Sequence, residues 1–291
     1  MTKPKIDQDL VDLWEAYVHV HFDRRLFLER AARLLGSASA AAAMIPLLQS
    51  DYANAATIAE SDPRLAVERQ SIAGARGTLS AYLARPALAG RYGGVVVVHQ
   101  NRGLNPHIED VARRFASEGF VALAVDFLSP VGGTPKDEEQ AIKLIRETDL
   151  DKATADAEAA VTYLRGRPEV NGKVGAVGFC WGGSIVNRLA ESDPGLNAAV
   201  VYYGGPPPLD KVGEIKAPLL LNYADPALDK WLGPLLPGYE KALQAAGIKY
   251  ALHVYPGANH AFNDDTQSRY DPQAAKLAWT RTLAFFRQHL A

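Results

Sequence analysis

Residues 178–183 read Gly178-Phe179-Cys180-Trp181-Gly182-Gly183. A strand-like run precedes them and a helical pattern follows, so they occupy a bend between a strand and a helix. The glycines remove Cβ atoms that would obstruct a sharp bend, and free N–H groups at the helix start favour a thiolate and an oxyanion. The pattern predicts that Cys180 is a nucleophile. A buried apolar cysteine and a phosphate-binding glycine loop are the competing interpretations.

The chain after about residue 64 alternates strands with helices. The predicted strands are 65–72, 78–84, 93–99, 120–125, 173–178, 198–203, 218–223 and 250–255. The predicted helices are 108–118, 136–146, 151–165, 183–191, 239–246 and 274–289. The alternation predicts an α/β fold, with a mostly parallel, doubly wound sheet and helices on both faces, in one domain over residues 58–291. Ligands of such sheets bind beyond the carboxyl ends of the strands.

Groups that can activate a thiol follow two later strands. His260 lies in the loop after 250–255 and is the last loop histidine before the closing helix. An imidazole can take the thiol proton, and a carboxylate on its far nitrogen would hold its tautomer. Asp225 and Asp229 both follow 218–223. Asp225 precedes a proline and can instead start a turn, so Asp229 is the preferred acid.

The loop after the strand 93–99 supplies further candidates. An oxyanion needs backbone N–H donors, and we expect one from Trp181 and one from this loop. Arg102 can bind a substrate carboxylate bidentately, with a surface salt bridge as the equal alternative. The predicted oxyanion and substrate-binding residues are therefore Gln100, Asn101, Arg102 and Trp181, and we predict no metal ligand.

Three segments, in order, resemble the dienelactone hydrolases (carboxymethylenebutenolidases) of the α/β-hydrolase superfamily. They are residues 99–105, 178–183 and 257–262, and the resemblance extends from about Leu65 to the C-terminus. It implies an α/β-hydrolase fold, a Cys-Asp-His triad without cofactor, and hydrolysis of small esters or lactones through a thioester acyl-enzyme. Asp229 falls on the triad aspartate. A general carboxylesterase or thioesterase, and a non-catalytic small-molecule-binding hydrolase fold, are the alternative functions.

Gln100 departs from the family pattern, which usually has a glutamate here that can take the proton of the resting thiol. An amide has no such basicity, so the thiol of Cys180 would lose its proton to His260. We expect a larger resting thiolate fraction than in relatives that carry the glutamate.

Composition limits the partners. The chain has 291 residues, of which 48% are hydrophobic, and a formal net charge of −2. Nucleic acid and anionic membranes favour basic proteins, so we expect neither as a partner. Cys180 is the single cysteine, which excludes an internal disulfide and a CxxC metal pair. We expect a small-molecule ester or lactone as substrate, no cofactor, and a monomer or homodimer.

Residues 1–57 differ from the rest. Arg24 and Arg25 precede a Phe-Leu pair, an Ala-rich run follows over 31–48, and residues 52–56 have the small-x-small form of a cleavage site. This pattern resembles a twin-arginine export signal and predicts a periplasmic protein. The run is interrupted by charge and proline, so we expect no membrane span.

The alternative is a retained helical arm on a cytoplasmic protein. Residues 7–20 carry several acidic side chains, whereas the leading region of a signal is usually basic. Apolar residues recur there at helical spacing and predict an amphipathic helix: Leu10, Leu13, Trp14 and Tyr17.

Overall fold

An eight-stranded sheet runs through the computed structural model, which describes residues 6–19, 22–52 and 56–291. Its strands are β1 Leu65–Gly74, β2 Gly77–Pro86, β3 Tyr92–Val98, β4 Phe120–Asp126, β5 Val170–Phe179, β6 Ala198–Tyr202, β7 Leu219–Ala224 and β8 Tyr250–Tyr255. The helices of the described residues are α1 Gln8–His19, α2 Arg24–Leu35, α3 Ala38–Leu48, α4 Pro106–Ser117, α5 Glu138–Arg146, α6 Leu150–Arg165, α7 Trp181–Ser192, α8 Leu236–Ala245 and α9 Pro272–Leu290.

The strand order is β1-β2-β4-β3-β5-β6-β7-β8. β1 and β2 form an antiparallel hairpin whose turn joins Gly74 to Gly77, and β2 is antiparallel to β4. The strands from β4 through β8 in this order run parallel to one another. Every residue of β4 is buried, as a strand covered on both faces must be. The prediction of a mostly parallel, doubly wound sheet is confirmed.

Helices cover both faces of the sheet. Neighbouring residues of a strand point to opposite faces, and a Cβ on Gly93 would meet Leu290 of α9, whereas one on Gly94 would meet Leu164 of α6. The helices α9 and α6 therefore lie on opposite faces. Large buried side chains link α9 to α4, where the rings of Phe115 and Phe286 lie 5.7 Å apart.

The order of the strands reverses at β3, which has β4 on one side and β5 on the other. Chain segments that leave β3 and β5 at their carboxyl ends therefore separate in opposite directions and leave a crevice between them. The loop that begins at Gln100 follows β3, and Cys180 follows β5. The topology thus brings together two of the segments singled out in the sequence.

The N-terminal segment packs on this domain through its own apolar cluster. Trp14, Tyr17 and Phe27 are buried, with the Phe27 ring 5.5 Å from that of Trp14 and 5.0 Å from that of Tyr17. Ile142 of α5 belongs to the same cluster and connects it to the α/β domain. The predicted amphipathic helix over 7–20 corresponds to α1, which buries its apolar side as the spacing indicates.

The paired arginines lie in the first turn of α2. Asp23 caps this helix by accepting a hydrogen bond from the Leu26 N–H at 2.8 Å, and Arg24 forms an ion pair with Glu139 at 2.7 Å. The proposed cleavage site falls on residues 53–55, which lie outside the described residues. Within the described ranges no single helix has the length and apolarity of a membrane span; only the α2–α3 pair, bent by 110°, meets that test jointly.

Most element boundaries differ from expectation by one to three residues, and one of them has a clear local cause. The helix predicted over 136–146 begins only at Glu138, because the carboxylate of Asp137 accepts the N–H of Glu139 and caps the helix there.

Replacing Trp14 by Ala should loosen the N-terminal segment. Trp14 is only 2% exposed, and truncating a buried aromatic typically costs about 3 kcal/mol or more. Urea unfolding and limited proteolysis of residues 6–52 would measure the loss. Leu34→Ala is the control, because Leu34 is 50% exposed on α2. Equal protease resistance of the two variants would contradict this packing.

Candidate active site

Cys180 occupies a strained bend between β5 and α7. Its backbone has φ 55° and ψ −117°, in a region that residues with a side chain rarely adopt. A Cβ on Gly178 would collide with the Gly182 carbonyl, and one on Gly182 would collide with the His99 carbonyl at the end of β3. Only glycine fits at these two positions. The close approach holds the cysteine above the carboxyl end of the sheet, where α7 begins.

His260 and Asp229 form a buried pair beside this bend. The Nδ1 of His260 lies 2.9 Å from Oδ2 of Asp229, and both side chains are almost fully buried. Asp229 also accepts the Leu232 N–H at 3.0 Å, which fixes its orientation. Asp225 instead accepts the N–H groups of Ala227 and Gly257, each at 2.9 Å, as a turn-forming aspartate does. The structure therefore brings Asp229, and not Asp225, to the imidazole.

A second histidine reaches the sulfur from the N-terminal segment. The Nε2 of His19, the last residue of α1, lies 3.2 Å from Sγ of Cys180. The His19 ring stacks on Trp231 with centroids 4.4 Å apart and stands edge-on to His260 at 5.0 Å. Sequence reasoning missed this residue. The apolar stripe of α1 indicated that the helix docks on something, but gave no sign of where.

Charge around the sulfur favours a thiolate. Burial opposes ionisation of Cys180, but the imidazoles of His19 and His260 outweigh it and lower the thiol pKa to about 5. Burial likewise opposes the imidazolium form of His260, but the charges of Asp229 and Cys180 raise its pKa to about 10. Burial lowers the pKa of His19. At neutral pH these directions describe a Cys180 thiolate whose proton is held by the neighbouring imidazoles.

Gln100 is buried and faces other polar groups. Its amide nitrogen donates to Oδ2 of Asp264 at 3.1 Å, and its amide oxygen accepts from Gln267 at 3.3 Å. The Gln100 amide thus gives the buried Asp264 carboxylate a hydrogen bond. A glutamate at position 100 would instead place a second carboxylate beside that of Asp264. The expected influence of Gln100 on the thiolate remains a prediction.

The loop residues next to Gln100 differ in their surroundings: Arg102 forms a buried ion pair, and Asn101 lines a surface cleft. Arg102 is buried, with Nε 3.2 Å from Oε2 of Glu138, so its charge already has a partner. Asn101 accepts a hydrogen bond from Arg102 at 3.2 Å, and its own amide nitrogen is buried without a partner among the described residues. Trp181 begins α7, where backbone N–H groups have no partner within the helix. Its ring stacks on His99, with centroids 5.4 Å apart.

Two surface clefts meet at His19 and Trp231. The larger, of about 250 Å³, is also lined by Asn101, Trp181 and Ser184. The smaller, of about 180 Å³, is also lined by Asp12, Glu15 and Asp229. The larger cleft therefore adjoins both predicted oxyanion segments. Its size suits a small molecule.

Two groups of side chains place possible metal-ligating atoms within 4.8 Å of one another: His19, Cys180 and His260, and His107, Asp264 and Asp265. His107 and Asp265 already pair at 3.0 Å, and Arg114 also contacts Asp265. The first group has the character expected of nucleophilic catalysis, with one imidazole held by a buried carboxylate.

The doubly wound sheet and the strained nucleophile bend define an α/β-hydrolase. A family model described as "Dienelactone hydrolase family" matches residues 79–290. The chain belongs to the dienelactone hydrolase family, and it is a hydrolase of ester or lactone bonds. The match does not include the segment that carries His19.

Relatives agree with this membership. A Bradyrhizobium protein named "Probable 2-oxo-3-(5-oxofuran-2-ylidene)propanoate lactonase" is 37% identical over 224 residues, which cover 72% of this chain and 89% of that protein. A solved structure from Klebsiella pneumoniae, described as that of a dienelactone hydrolase, has a TM-score of 0.71 and 32% identity. It covers 77% of this chain, and 99% of that chain is matched.

Alkylation by iodoacetamide should report the low pKa of the thiol. Cys180 is the only cysteine, so the label reads this sulfur alone. With a pKa of about 5, the thiolate is fully formed at neutral pH, and the alkylation rate should fall by half near pH 5 as the thiolate is protonated. Cys180→Ser is the control, because it has no thiol and should not be alkylated. A half-point near pH 8.5, as for an unperturbed thiol, would contradict the site electrostatics.

Gln100→Glu should shift the same profile to higher pH, because added negative charge near the sulfur disfavours the thiolate. Gln140→Glu, the same chemical change at an exposed position of α5, is the control and should leave the profile in place. An unchanged profile for the Gln100 variant would show that position 100 does not govern the thiol.

Proposed function

We propose that this chain hydrolyses small-molecule esters or lactones through a Cys180-His260-Asp229 triad and a thioester acyl-enzyme. One observation carries the proposal. The strained bend presents a sulfur to His260, whose far nitrogen is 2.9 Å from the buried carboxylate of Asp229. This is the arrangement of nucleophile, base and orienting acid that acyl transfer requires.

In the first step the Cys180 thiolate attacks the carbonyl carbon of the substrate. The negative oxygen that forms is held by backbone N–H groups at the start of α7, at Trp181, and in the loop after β3. The C–O bond to the leaving group then breaks and a thioester remains. The leaving oxygen takes a proton from an imidazolium beside the sulfur.

In the second step water attacks the thioester. His260 takes a proton from the water, and Asp229 stabilises the imidazolium that results. The S–C bond breaks, the acid leaves, and the proton held by His260 is returned to the sulfur site. Formation of the acyl-enzyme removes the thiolate charge that raises the pKa of His260, so the imidazole gives up a proton more readily and is available in its neutral form when water must be deprotonated.

The substrate is proposed to be a small ester or lactone. A lactonase name for a relative that is 37% identical supports this class. The larger cleft, of about 250 Å³ beside Trp181, has room for a compact molecule. A general carboxylesterase on the same triad is the second candidate, because nothing in the triad itself distinguishes a ring from an open ester.

Asp229→Asn should lower kcat by at least about 100-fold, because the imidazole loses the carboxylate that holds its tautomer. Asp225→Asn is the matched control, four residues earlier, and should retain kcat although it loses turn hydrogen bonds. Cys180→Ala should abolish turnover. The assay is a panel of p-nitrophenyl esters and lactones, including cis-dienelactone, and a preference within the panel separates lactonase from general esterase. Undiminished hydrolysis by Cys180→Ala would end the proposal.

A further inference from the structure

Two imidazoles, each beside a carboxylate, flank one sulfur. His260 carries Asp229 on its Nδ1 at 2.9 Å. His19 carries Glu15 on its Nδ1, with the Glu15 carboxylate at 3.3 Å and the Glu15 backbone carbonyl at 3.0 Å. The ligating atoms of His19, Cys180 and His260 all lie within 4.8 Å of one another. A single triad uses only one of these imidazoles.

The hydrogen bonds determine which proton His19 carries. A backbone carbonyl only accepts, so Nδ1 of His19 must donate to Glu15. The Nε2, 3.2 Å from Sγ, then shares one proton with the sulfur, either as S–H with a neutral ring or as a thiolate with an imidazolium. The Nε2 of His260 is buried and makes no hydrogen bond that meets the usual geometry within the described residues. His19 is therefore the imidazole whose hydrogen bond to the sulfur has regular geometry, and His260 is the second imidazole within 4.8 Å of it.

We propose that His19 is a second catalytic histidine, which holds the proton of the Cys180 thiol and delivers it to the leaving oxygen. The proposal rests on the proposed function of Cys180 as the nucleophile. It divides the proton transfers between two residues. His19 serves the acylation step and His260 serves the water that attacks the thioester.

The protons balance over one cycle. The proton that the imidazoles hold beside the resting thiolate is at Nε2 of His19 as sulfur bonds to the carbonyl carbon. When the C–O bond breaks, this proton goes to the leaving oxygen, and the neutral ring remains. His260 then takes a proton from water, the S–C bond breaks, and the proton of His260 returns to the position between Sγ and His19. One ester and one water become one alcohol and one acid.

The buried setting of His19 suits a group that gives up a proton. Burial lowers its pKa, so the proton is released more readily than from an exposed imidazole. Glu15 faces the ring from α1, and its carboxylate is itself paired with the buried Arg269. From the α/β domain the ring faces Cys180 and His260.

Other titratable groups stand further out. The charge of Asp229 raises the pKa of His19 against the effect of burial, and Asp12 lines the smaller cleft beside the ring. Lys230 lines the same cleft. Tyr203 packs on His260, with ring centroids 5.0 Å apart.

The position of His19 gives a leaving group access to it. Its ring borders both clefts and lies 3.2 Å from the sulfur, so it stands between the sulfur and open space. An acyl group in the larger cleft would direct its leaving oxygen past this ring.

The test uses the leaving group as the probe. A p-nitrophenolate leaves without a proton, whereas an alkoxide needs one in the transition state. His19→Phe keeps the stacking on Trp231 but has no nitrogen. It should lower kcat by about 100-fold for ethyl or benzyl esters, the scale of general acid catalysis, and by less than about fivefold for the matching p-nitrophenyl ester. His289→Phe is the matched control, because that residue lies at the far end of α9, beside Phe285.

Chemical rescue of a His19 variant by added imidazole gives a second measurement. His19→Ala removes the ring next to two clefts, and added imidazole should restore alkyl-ester turnover to His19→Ala but not to His19→Phe. Circular dichroism of each variant confirms folding. If His19→Phe misfolds, the rescue of His19→Ala decides. Equal loss on both ester types, no loss, a gain of activity through an opened site, or no rescue would overturn the role of His19.

The failures can be told apart. If Cys180→Ala stays active, the proposed function itself is wrong. If Cys180→Ala is inactive while His19→Phe shows no leaving-group dependence, only the inference about His19 fails. The inference also requires the N-terminal segment to remain on the working enzyme. An enzyme isolated from its native cells that lacks residues 1–55 and still cleaves alkyl esters at full rate would overturn it as well.

Discussion

The site depends on the close contact of two backbones at the bend that follows β5. Gly182 lies directly against the end of β3, and Gly178 lies against Gly182, with no space for a Cβ at either position. This contact holds Cys180 at a positive φ and directs its side chain away from the sheet. A side chain at either glycine would push α7 from β3 and separate Cys180, the proposed nucleophile, from the loop that begins at Gln100. The strain at one residue is sustained by the buried sheet on both sides of it.

The sulfur is held in a buried and densely charged setting. An isolated thiolate with 3% exposure would be costly, since burial removes the water that stabilises its charge. Neighbouring imidazoles replace that water, and buried or partly buried carboxylates support each imidazole in turn. The series of charged contacts continues to Arg269, which pairs with Glu15. Burial lowers the pKa of Arg269 to about 9. The chemistry of one atom is therefore set by groups from two separate parts of the chain.

Polar contacts attach α1 of the N-terminal segment to the α/β domain. Gln8 of α1 donates to Asn259 at 2.9 Å, next to His260, and Arg146 of α5 donates to the Val18 carbonyl at 3.3 Å. Apolar packing in the cluster around Trp14 and Phe27 stabilises the segment against the α/β domain. These polar contacts determine where on the surface α1 comes to rest, and so bring its last residue to the sulfur.

The sequence by itself determined the features that depend on local pattern. Buried β-branched runs and helical periods predicted the sheet, the two glycines predicted the bend at Cys180, and the place of His260 after the last strand marked the imidazole. The choice between Asp225 and Asp229 needed the structure, because both lie in one turn and only side-chain direction separates them. Arg102 and Gln100 likewise have partners far along the chain, Glu138 and Asp264. His19 is 161 residues from Cys180. Periodicity reports which side of a helix is buried, but the surface against which it is buried is decided only when the distant parts of the chain pack together.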